Sequence, residues 1–361
     1  MKKIVLIAQE RSAFLHVAPL ATVFRKNGVF EPVLVRVLAD ADRAEHNALC
    51  TAFGLSDAVR AIPAESGSPV GETAAFMLEF ERLFGELSPD FVVPGGHDNA
   101  SLAGALAAAK MTIPVVSLDA GLRSYDRAES REINRLVIDS VAALHFVSEH
   151  SGIYNLMNEG VADEQILFAG NTAIDSLVTL IGHQADASGV LKAHGLEPKK
   201  FVIALLDLPV SSGSVERREL IGKLLESLAA TATVILPVGP SPAAELLEAF
   251  DAVPGLRLIA TPGYIDLLQL FKASALVLTD SAEFEAELTV MNVPCLTMRQ
   301  STARPSTIEI GTNVLVGNNE LEILERASII LSGKESKKTL IPEKWDGAAA
   351  KRVAEMLERA E

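Results

Sequence analysis

Leu118 to Arg135 reads LDAGLRSYDRAESREINR, and its pattern changes twice. The apolar run Ile113 to Leu118 leads into it and ends at Asp119, as a short buried strand would. Ala120-Gly121 makes a small turn, followed by Leu122, Arg123 and a polar loop. Glu132-Ile133-Asn134-Arg135 then opens a helical run, LVIDSVAAL. This order puts a carboxylate at the carboxyl end of a buried strand, with cations and a second carboxylate one loop away. Ligands of open α/β sheets bind outside the carboxyl ends of the strands. Asp119, Arg123, Glu132 and Arg135 gathered there suit an anionic, polyhydroxylated substrate better than a core.

Outward from that stretch, strand and helix alternate. Toward the N-terminus, Lys3 to Ala8 reads as a buried parallel strand and Gln9 to Ser12 as the turn after it. Phe14 to Asn27 reads as a helix, with Phe14, Val17, Ala18, Leu20, Ala21 and Phe24 on one face and Gly28 as its stop. Pro19 marks a place for a kink. Val33 to Val37 is a strand, and Ala41 to Phe53 and Gly71 to Phe84 are helices. The strand Phe91 to Val93 runs into Pro94-Gly95-Gly96-His97-Asp98, and Ser101 to Lys110 is an Ala-rich helix. Leu144 to Val147 and Gln165 to Phe168 complete a first sheet.

Past Gly170-Asn171 the alternation resumes. Ile174 to Ile181 is a helix, and Ala187 to Lys200 a loop with a short helix. Strands fall at Phe201 to Leu206, Thr233 to Pro237, Leu256 to Ile259, Ala275 to Thr279, Cys295 to Met298 and Val314 to Val316. Helices fall at Arg217 to Ala230, Ala243 to Phe250, Ile265 to Ala273, Glu283 to Val290 and Leu321 to Leu331. Such alternation predicts an α/β fold of two doubly wound parallel-sheet, Rossmann-like domains. The domains are expected over residues 1–170 and 171–340. Residues 341–361 carry an amphipathic helix, Asp346 to Ala360, that needs a partner surface, here assigned to the first domain.

Composition agrees with this. A chain of 361 residues is comfortable for two domains, and 49% hydrophobic against 22% charged residues allows a large core. A formal charge of −15 argues against non-specific nucleic-acid or anionic-membrane binding, but a few clustered arginines still allow a phosphorylated substrate. Two cysteines, Cys50 and Cys295, lie far apart in apolar segments and read as reduced thiols. No stretch is long and apolar enough to span a bilayer, and the first residues read as a strand, so the expected location is cytoplasmic.

In order and spacing, several short motifs together resemble the UDP-N-acetylglucosamine 2-epimerases, mostly of the non-hydrolysing type. They are Arg11 with Ala18-Pro19-Leu20, Asp119-Ala120-Gly121-Leu122-Arg123, Glu132-Ile133-Asn134-Arg135, Gly170-Asn171-Thr172-Ala173-Ile174-Asp175, Leu278-Thr279-Asp280-Ser281, Arg304-Pro305, Gly311-Thr312 and Asp346-Gly347. The resemblance covers nearly the whole chain. It implies a glycosyltransferase-B arrangement with UDP-sugar bound between the domains, a homodimer, no cofactor or metal, and a place in polysaccharide biosynthesis. It also implies the reaction, in which UDP is eliminated across C1–C2 of the sugar and added back with C2 inverted. Such chemistry needs a base near C2, an acid for the return step, and donors for the departing diphosphate.

Against the family pattern this chain has changes at most proton-transfer positions. Gly-Thr-Arg-Pro-Glu reads Gln9-Glu10-Arg11-Ser12-Ala13, and a lysine on the next helix is His16. His-Gly-Asp reads Gly95-Gly96-His97, which puts the catalytic aspartate's place on His97, with Asp98 one later. The glutamate before Ala-Gly-Leu-Arg is shortened to Asp119, and the first glutamate of Pro-Glu-Glu-x-Asn-Arg is Arg131. His-Arg-Arg-Glu is replaced by Asp207-Leu208-Pro209-Val210, and Ser-Gly-Gly by Ser281-Ala282-Glu283. The expected proton-transfer set is therefore Asp119, Glu132, His97 and Asp98. The expected substrate-binding set is Arg11, Arg123, Arg135, Asp207, Ser281, Ala282, Glu287 and Arg304, with Glu287 matching a glutamate that holds ribose hydroxyls.

Plainer roles compete with these. Asp119 would serve as a turn cap, His97 and Asp98 as caps of the helix at Ser101, and Glu132 as first-turn charge balance. Arg123 and Arg135 would form structural ion pairs with Asp119 and Glu132. Three functions stay open: an epimerase, or its hydrolysing relative; a glycosyltransferase on the same scaffold; and a catalytically silent UDP-sugar sensor.

Overall fold

The computed structural model describes residues 1–38, 43–55, 59–63, 68–183, 188–206, 208, 214–239, 250, 253–334 and 337–359. The chain divides into two compact units, Met1–Leu180 with Glu343–Glu361, and Ile181–Pro342. Both are α/β with parallel sheets, the fold class expected.

The first unit runs β1 (Lys2–Ala8), α1 (Arg11–Asn27), β2 (Phe30–Leu38), α2 (Arg43–Ala52), β3 (Val59–Pro63), α3 (Pro69–Leu87), β4 (Phe91–Pro94), α4 (Asn99–Lys110) and β5 (Val116–Leu118). It continues with α5 (Ser130–Val141), β6 (Leu144–Val147), α6 (His150–Asn158), β7 (Ile166–Phe168) and α7 (Thr172–His183). Four parallel strands pair in the order β3-β2-β1-β4, and three more in the order β5-β6-β7. A single parallel bridge, Val92 to Val115, joins the two sets. Order therefore reverses between β1 and β4, and a doubly wound sheet binds its ligand outside such a switch point.

The core of this unit explains its helices. Phe14, Val17, Ala18, Leu20 and Phe24 of α1 are fully buried, each large side chain contributing about 1.5–3 kcal/mol. Gly28 closes the helix in the left-handed conformation. Pro19 lies inside α1 and leaves the Leu15 carbonyl without its helical amide. Ser176 of α7 supplies the missing donor, its Oγ 2.5 Å from that oxygen. Gly95 is dictated by close approach, because a Cβ there would sit 2.5 Å from the Ala13 carbonyl and 2.6 Å from that of Ile7.

The second unit runs α8 (Ser188–Ala193), β8 (Phe201–Leu205), α9 (Val215–Ala229), β9 (Thr233–Val238), β10 (Leu256–Ala260), α10 (Tyr264–Ala273), β11 (Leu276–Thr279) and α11 (Glu285–Val290). It ends with β12 (Cys295–Thr297), α12 (Pro305–Glu309), β13 (Asn313–Leu315) and α13 (Glu320–Leu331). Its six parallel strands take the order β10-β9-β8-β11-β12-β13. That is the 3-2-1-4-5-6 order of dinucleotide-binding sheets, with the switch between β8 and β11. The core beneath it includes Val202, Leu224, Val234, Leu278 and Ile323.

The last helix, α14 (Ala349–Arg359), belongs to the first unit. Asp175 of α7 accepts the Ala349 and Ala350 amides at 3.0 and 2.7 Å, capping it from another element. Val353, Ala354 and Leu357 form its buried face.

Several boundaries differ from expectation. The edge strand β3 has no counterpart among the expected elements: it is five residues long, carries Arg60, and ends in proline, so its signal is weak. Helix α1 begins at Arg11, so Arg11 and Ser12 lie in its first turn and not in the preceding loop. Arg304-Pro305, in a stretch given no element by the sequence, opens the short helix α12. The helix expected over Ala243 to Phe250 lies outside the described residues except at Phe250, and Ala41 likewise lies outside them.

Candidate functional site

In the first unit, the carboxyl ends of β1, β4 and β5 converge on a polar cluster. Asp119 follows β5 directly and has φ 51°, in the left-handed region. A non-glycine residue there costs about 1–2 kcal/mol, and aspartate is among the few that visit it. The carboxylate is turned to α1, where His16 Nε2 stands 3.1 Å from Asp119 Oδ2. On the other side of the imidazole, Nδ1 lies 2.9 Å from Thr172 Oγ1 at the start of α7. His16 is absent from the expected site residues, because a helical histidine among apolar residues looks like core.

Asp98 caps α4, its Oδ1 accepting from the Ser101 amide at 2.7 Å. Its Oδ2 accepts from the Gln9 and Glu10 amides at 3.4 and 3.2 Å, so it also ties the β1–α1 turn to α4. The plainer, capping role is what this geometry displays. His97 presents its carbonyl to Asn134 Nδ2 at 2.8 Å, a link that no local sequence pattern announces.

Glu132 is 1% exposed and richly bonded. It accepts from the Ser124 amide at 3.0 Å, Ser124 Oγ at 3.1 Å, the Tyr125 amide at 2.9 Å and Arg135 Nη1 at 2.8 Å. Burial alone would raise its pKa; the Ser124 amide, the Arg135 guanidinium and the Tyr125 amide outweigh burial and hold it below the usual range. The expected Glu132–Arg135 ion pair is therefore present.

Arg123 is different. Its side chain is 1% exposed and pairs with Asp139 at 2.8 Å and, through Nε and Nη2, with Glu159 at 2.8 and 2.7 Å. Nη1 also donates to the Leu122 carbonyl at 2.8 Å. Asp139 in turn accepts from Ser117 Oγ and the Gly121 amide. Burial works to lower the Arg123 pKa, yet the carboxylates of Glu159 and Asp139 drive it up. So Arg123 anchors the loop after β5. Neither the substrate-binding role nor the pairing with Asp119 expected of it fits this enclosure.

At the rim, Arg131 Nη2 meets Glu10 Oε2 at 2.5 Å. Both residues depart from the family pattern, and their charges answer each other. Arg11 Nη1 lies 3.3 Å from Glu45 of α2.

In the second unit the expected binding residues Ser281 and Ala282 are set apart from the helix that follows them. Helix α11 starts at Glu285, four residues after Ser281, spans six residues, and holds Glu285 and Glu287 in its first turn. Ser281 and Ala282 belong to the turn before it, where Ser281 Oγ accepts from the Glu283 amide at 3.1 Å and the Ser281 amide donates to Thr279 Oγ1 at 3.1 Å. No helix N-terminus therefore follows Ser281 directly. Glu287 is 5% exposed and accepts from Tyr264 Oη at 3.2 Å, and burial raises its pKa. Glu285 accepts from Thr302 Oγ1, and burial pushes its carboxyl up to about 7. Arg304 precedes α12, its amide 3.1 Å from Thr302 Oγ1. Asp207 lies outside the described residues. Among the described residues no group of three or more His, Cys, Asp or Glu is placed to hold a metal ion, and no helix is long and apolar enough to cross a membrane.

Two units of parallel strands, each reversing strand order and each with acids, hydroxyls and arginines beyond its switch point, define a class of α/β proteins built to handle nucleotide-linked ligands. Comparison with known proteins narrows the class. The family profile described as UDP-N-acetylglucosamine 2-epimerase matches residues 24–358. A UDP-N-acetylglucosamine 2-epimerase of Methanococcus maripaludis is 32% identical over 270 residues, 72% of this chain and 73% of that one. A UDP-2,3-diacetamido-2,3-dideoxy-D-glucuronate 2-epimerase of Pseudomonas aeruginosa is 30% identical over 291 residues, 79% of each. The crystal structure of the Methanocaldococcus jannaschii UDP-GlcNAc 2-epimerase, in complex with UDP-GlcNAc and UDP, superimposes with a TM-score of 0.88 at 25% identity, covering 99% of both chains. The chain belongs to the UDP-N-acetylglucosamine 2-epimerase family.

Proposed function

We propose that this protein binds a UDP-sugar and inverts its C2 configuration, by eliminating UDP across C1–C2 and adding it back. The observation that carries the reading is Asp119, held in a left-handed conformation at the carboxyl end of β5 with His16 against it, in a chain of this family. Backbone strain of that kind gathers at sites where a side chain must be aimed. Asp119 is assigned as the base at C2. Within the second unit, Ser281 and Arg304 are assigned to the diphosphate of UDP, where charged hydrogen bonds hold it best, and Glu287 to the ribose hydroxyls. Glu132 and Arg135 are assigned to holding the loop that faces the sugar. The two sugars named among the relatives, N-acetylglucosamine and a diacetamido-glucuronate, are the first substrates to offer.

A homodimer working in the cytoplasm is part of the same proposal. Two free, buried cysteines support a reducing compartment. Sedimentation would report the oligomeric state directly.

One observation favours a second reading, a UDP-sugar sensor without turnover. Asp98 and Glu132, two of the expected proton carriers, already hold several protein donors each. Incubation with UDP-N-acetylglucosamine, followed by NMR for the C2 epimer, separates the two. Appearance of the epimer supports the enzyme; tight binding without any epimer supports the sensor.

A further inference from the structure

His16 is the group in this cluster that no assignment yet uses. It is buried, it bears on the residue assigned as base, and its two ring nitrogens have partners from different elements. Three segments converge to make the chain Asp119–His16–Thr172: the end of β5, the second turn of α1 and the first residue of α7. The helices are fastened next to it, since Ser176 lies one turn after Thr172 and bonds the carbonyl of Leu15. That bond fixes α7 against α1 where the imidazole bridges them.

We propose that His16 is a positioning residue that holds Asp119 as the base at C2, with the Asp119 carboxylate setting its tautomer and Thr172 bonding the other ring nitrogen. The proposal rests on the epimerase reading above. An ionised carboxylate can only accept, so His16 Nε2 carries the hydrogen that faces Asp119. In the neutral ring Nδ1 is then an acceptor, and the Thr172 hydroxyl donates to it. A hydroxyl can also turn and accept, so the ring keeps both partners in either protonation state. The left-handed backbone of Asp119 and this fixed imidazole together aim the carboxylate. In the elimination, the C2 proton passes to the Asp119 carboxylate and the C–H electron pair becomes the C1=C2 bond. The C1–O pair leaves on the β-phosphate oxygen of UDP. Through that step the Nε2–H bond to Oδ2 persists, because the carboxyl oxygen remains an acceptor. The proton returned to the opposite face of C2 comes from a different group.

Two measurements test this on the full chain. Two-bond 1H–15N correlation on histidine-labelled protein should show the neutral His16 ring protonated on Nε2. Thr172→Val should leave that preference in place, because the Asp119 carboxylate imposes it, and Asp119→Asn, whose amide can donate or accept, should blur it. In deuterated water with UDP-N-acetylglucosamine, His16→Leu should lower kcat for C2 exchange by about 10- to 100-fold, the usual effect of removing an orienting partner, with KM little changed. His16→Gln, whose amide can still donate to Asp119, should stay within about tenfold of the unmutated protein. Retained UDP binding in both variants guards against a folding defect. A normal rate in His16→Leu, or a neutral ring protonated on Nδ1, overturns this proposal alone. An unmutated protein that binds UDP-N-acetylglucosamine and exchanges nothing at C2 overturns the epimerase reading, and this proposal with it.

Discussion

Asp119 and Arg123 stand four residues apart and illustrate how differently neighbours in one motif are used. Asp119 is strained and held against an imidazole, a contact that its carboxyl keeps whether or not it carries a proton. Arg123 is enclosed by Asp139 and Glu159. Removing one partner of a buried ion pair leaves the other charge uncompensated and costs about 3–5 kcal/mol. Arg123→Met should therefore lower stability in urea unfolding by about 3 kcal/mol, while UDP affinity of the folded fraction, measured by calorimetry, stays close to normal. A large loss of affinity with unchanged stability would return Arg123 to the substrate. The presence of acids and arginines at the strand ends is legible in the sequence, since strand, turn and helix are local patterns. Which charge meets which is not. His16 and Thr172 lie 156 residues apart, and only the packing of α1 on α7 brings them together. The shortened Asp119 looks like a loss by one methylene; the contact from His16 cannot be read from that difference.

At the scale of elements, the buried parallel strands announce themselves as continuous apolar runs, and most helices by their spacing. The misses are short or terminal pieces: the edge strand β3, the five-residue α12, and the late start of α11 after a side-chain turn. Pro19 is the instructive case. A proline inside a helix ordinarily costs about 3 kcal/mol because one carbonyl is orphaned and the ring crowds it. Here Ser176 meets that carbonyl, so the defect in α1 becomes a fastening point for α7. Ser176→Ala should destabilise by about 1–3 kcal/mol, the cost of a buried acceptor left unmet. The same change in a Pro19→Ala background should cost less, because the backbone amide restored by that substitution can reach the Leu15 carbonyl itself. Thermal unfolding of the four proteins in this double-mutant cycle reads the coupling. Equal costs in both backgrounds would mean that Ser176 acts independently of the proline.

For the whole molecule, buried acids shape how stability responds to pH: Asp175, Glu285 and Glu287 are all pushed up by burial. Burial pushes Asp175 up to about 6 and Glu285 up to about 7. Each folded-state value lies above its unfolded value, so the folded chain binds more protons between the two. Stability therefore falls as pH rises through roughly 4 to 6 for Asp175 and roughly 4.5 to 7 for Glu285. Glu132 works the other way, losing its stabilising effect as pH drops through its depressed folded value. The formal charge of −15 adds self-repulsion at higher pH. Denaturant unfolding at pH 5 and pH 8 should show a smaller decline across that interval in Asp175→Asn and in Glu285→Gln than in the unmutated protein. Identical declines would mean that these carboxyls titrate normally. Above these details stands the claim that a family member with so many altered acids still moves the C2 proton, and through Asp119. The direct measurement is deuterium incorporation at C2 of UDP-N-acetylglucosamine in deuterated water, comparing the unmutated protein with Asp119→Asn. The account predicts exchange in the first, and loss of exchange with UDP binding retained in the second. Full exchange in Asp119→Asn, or none in either protein, would contradict it.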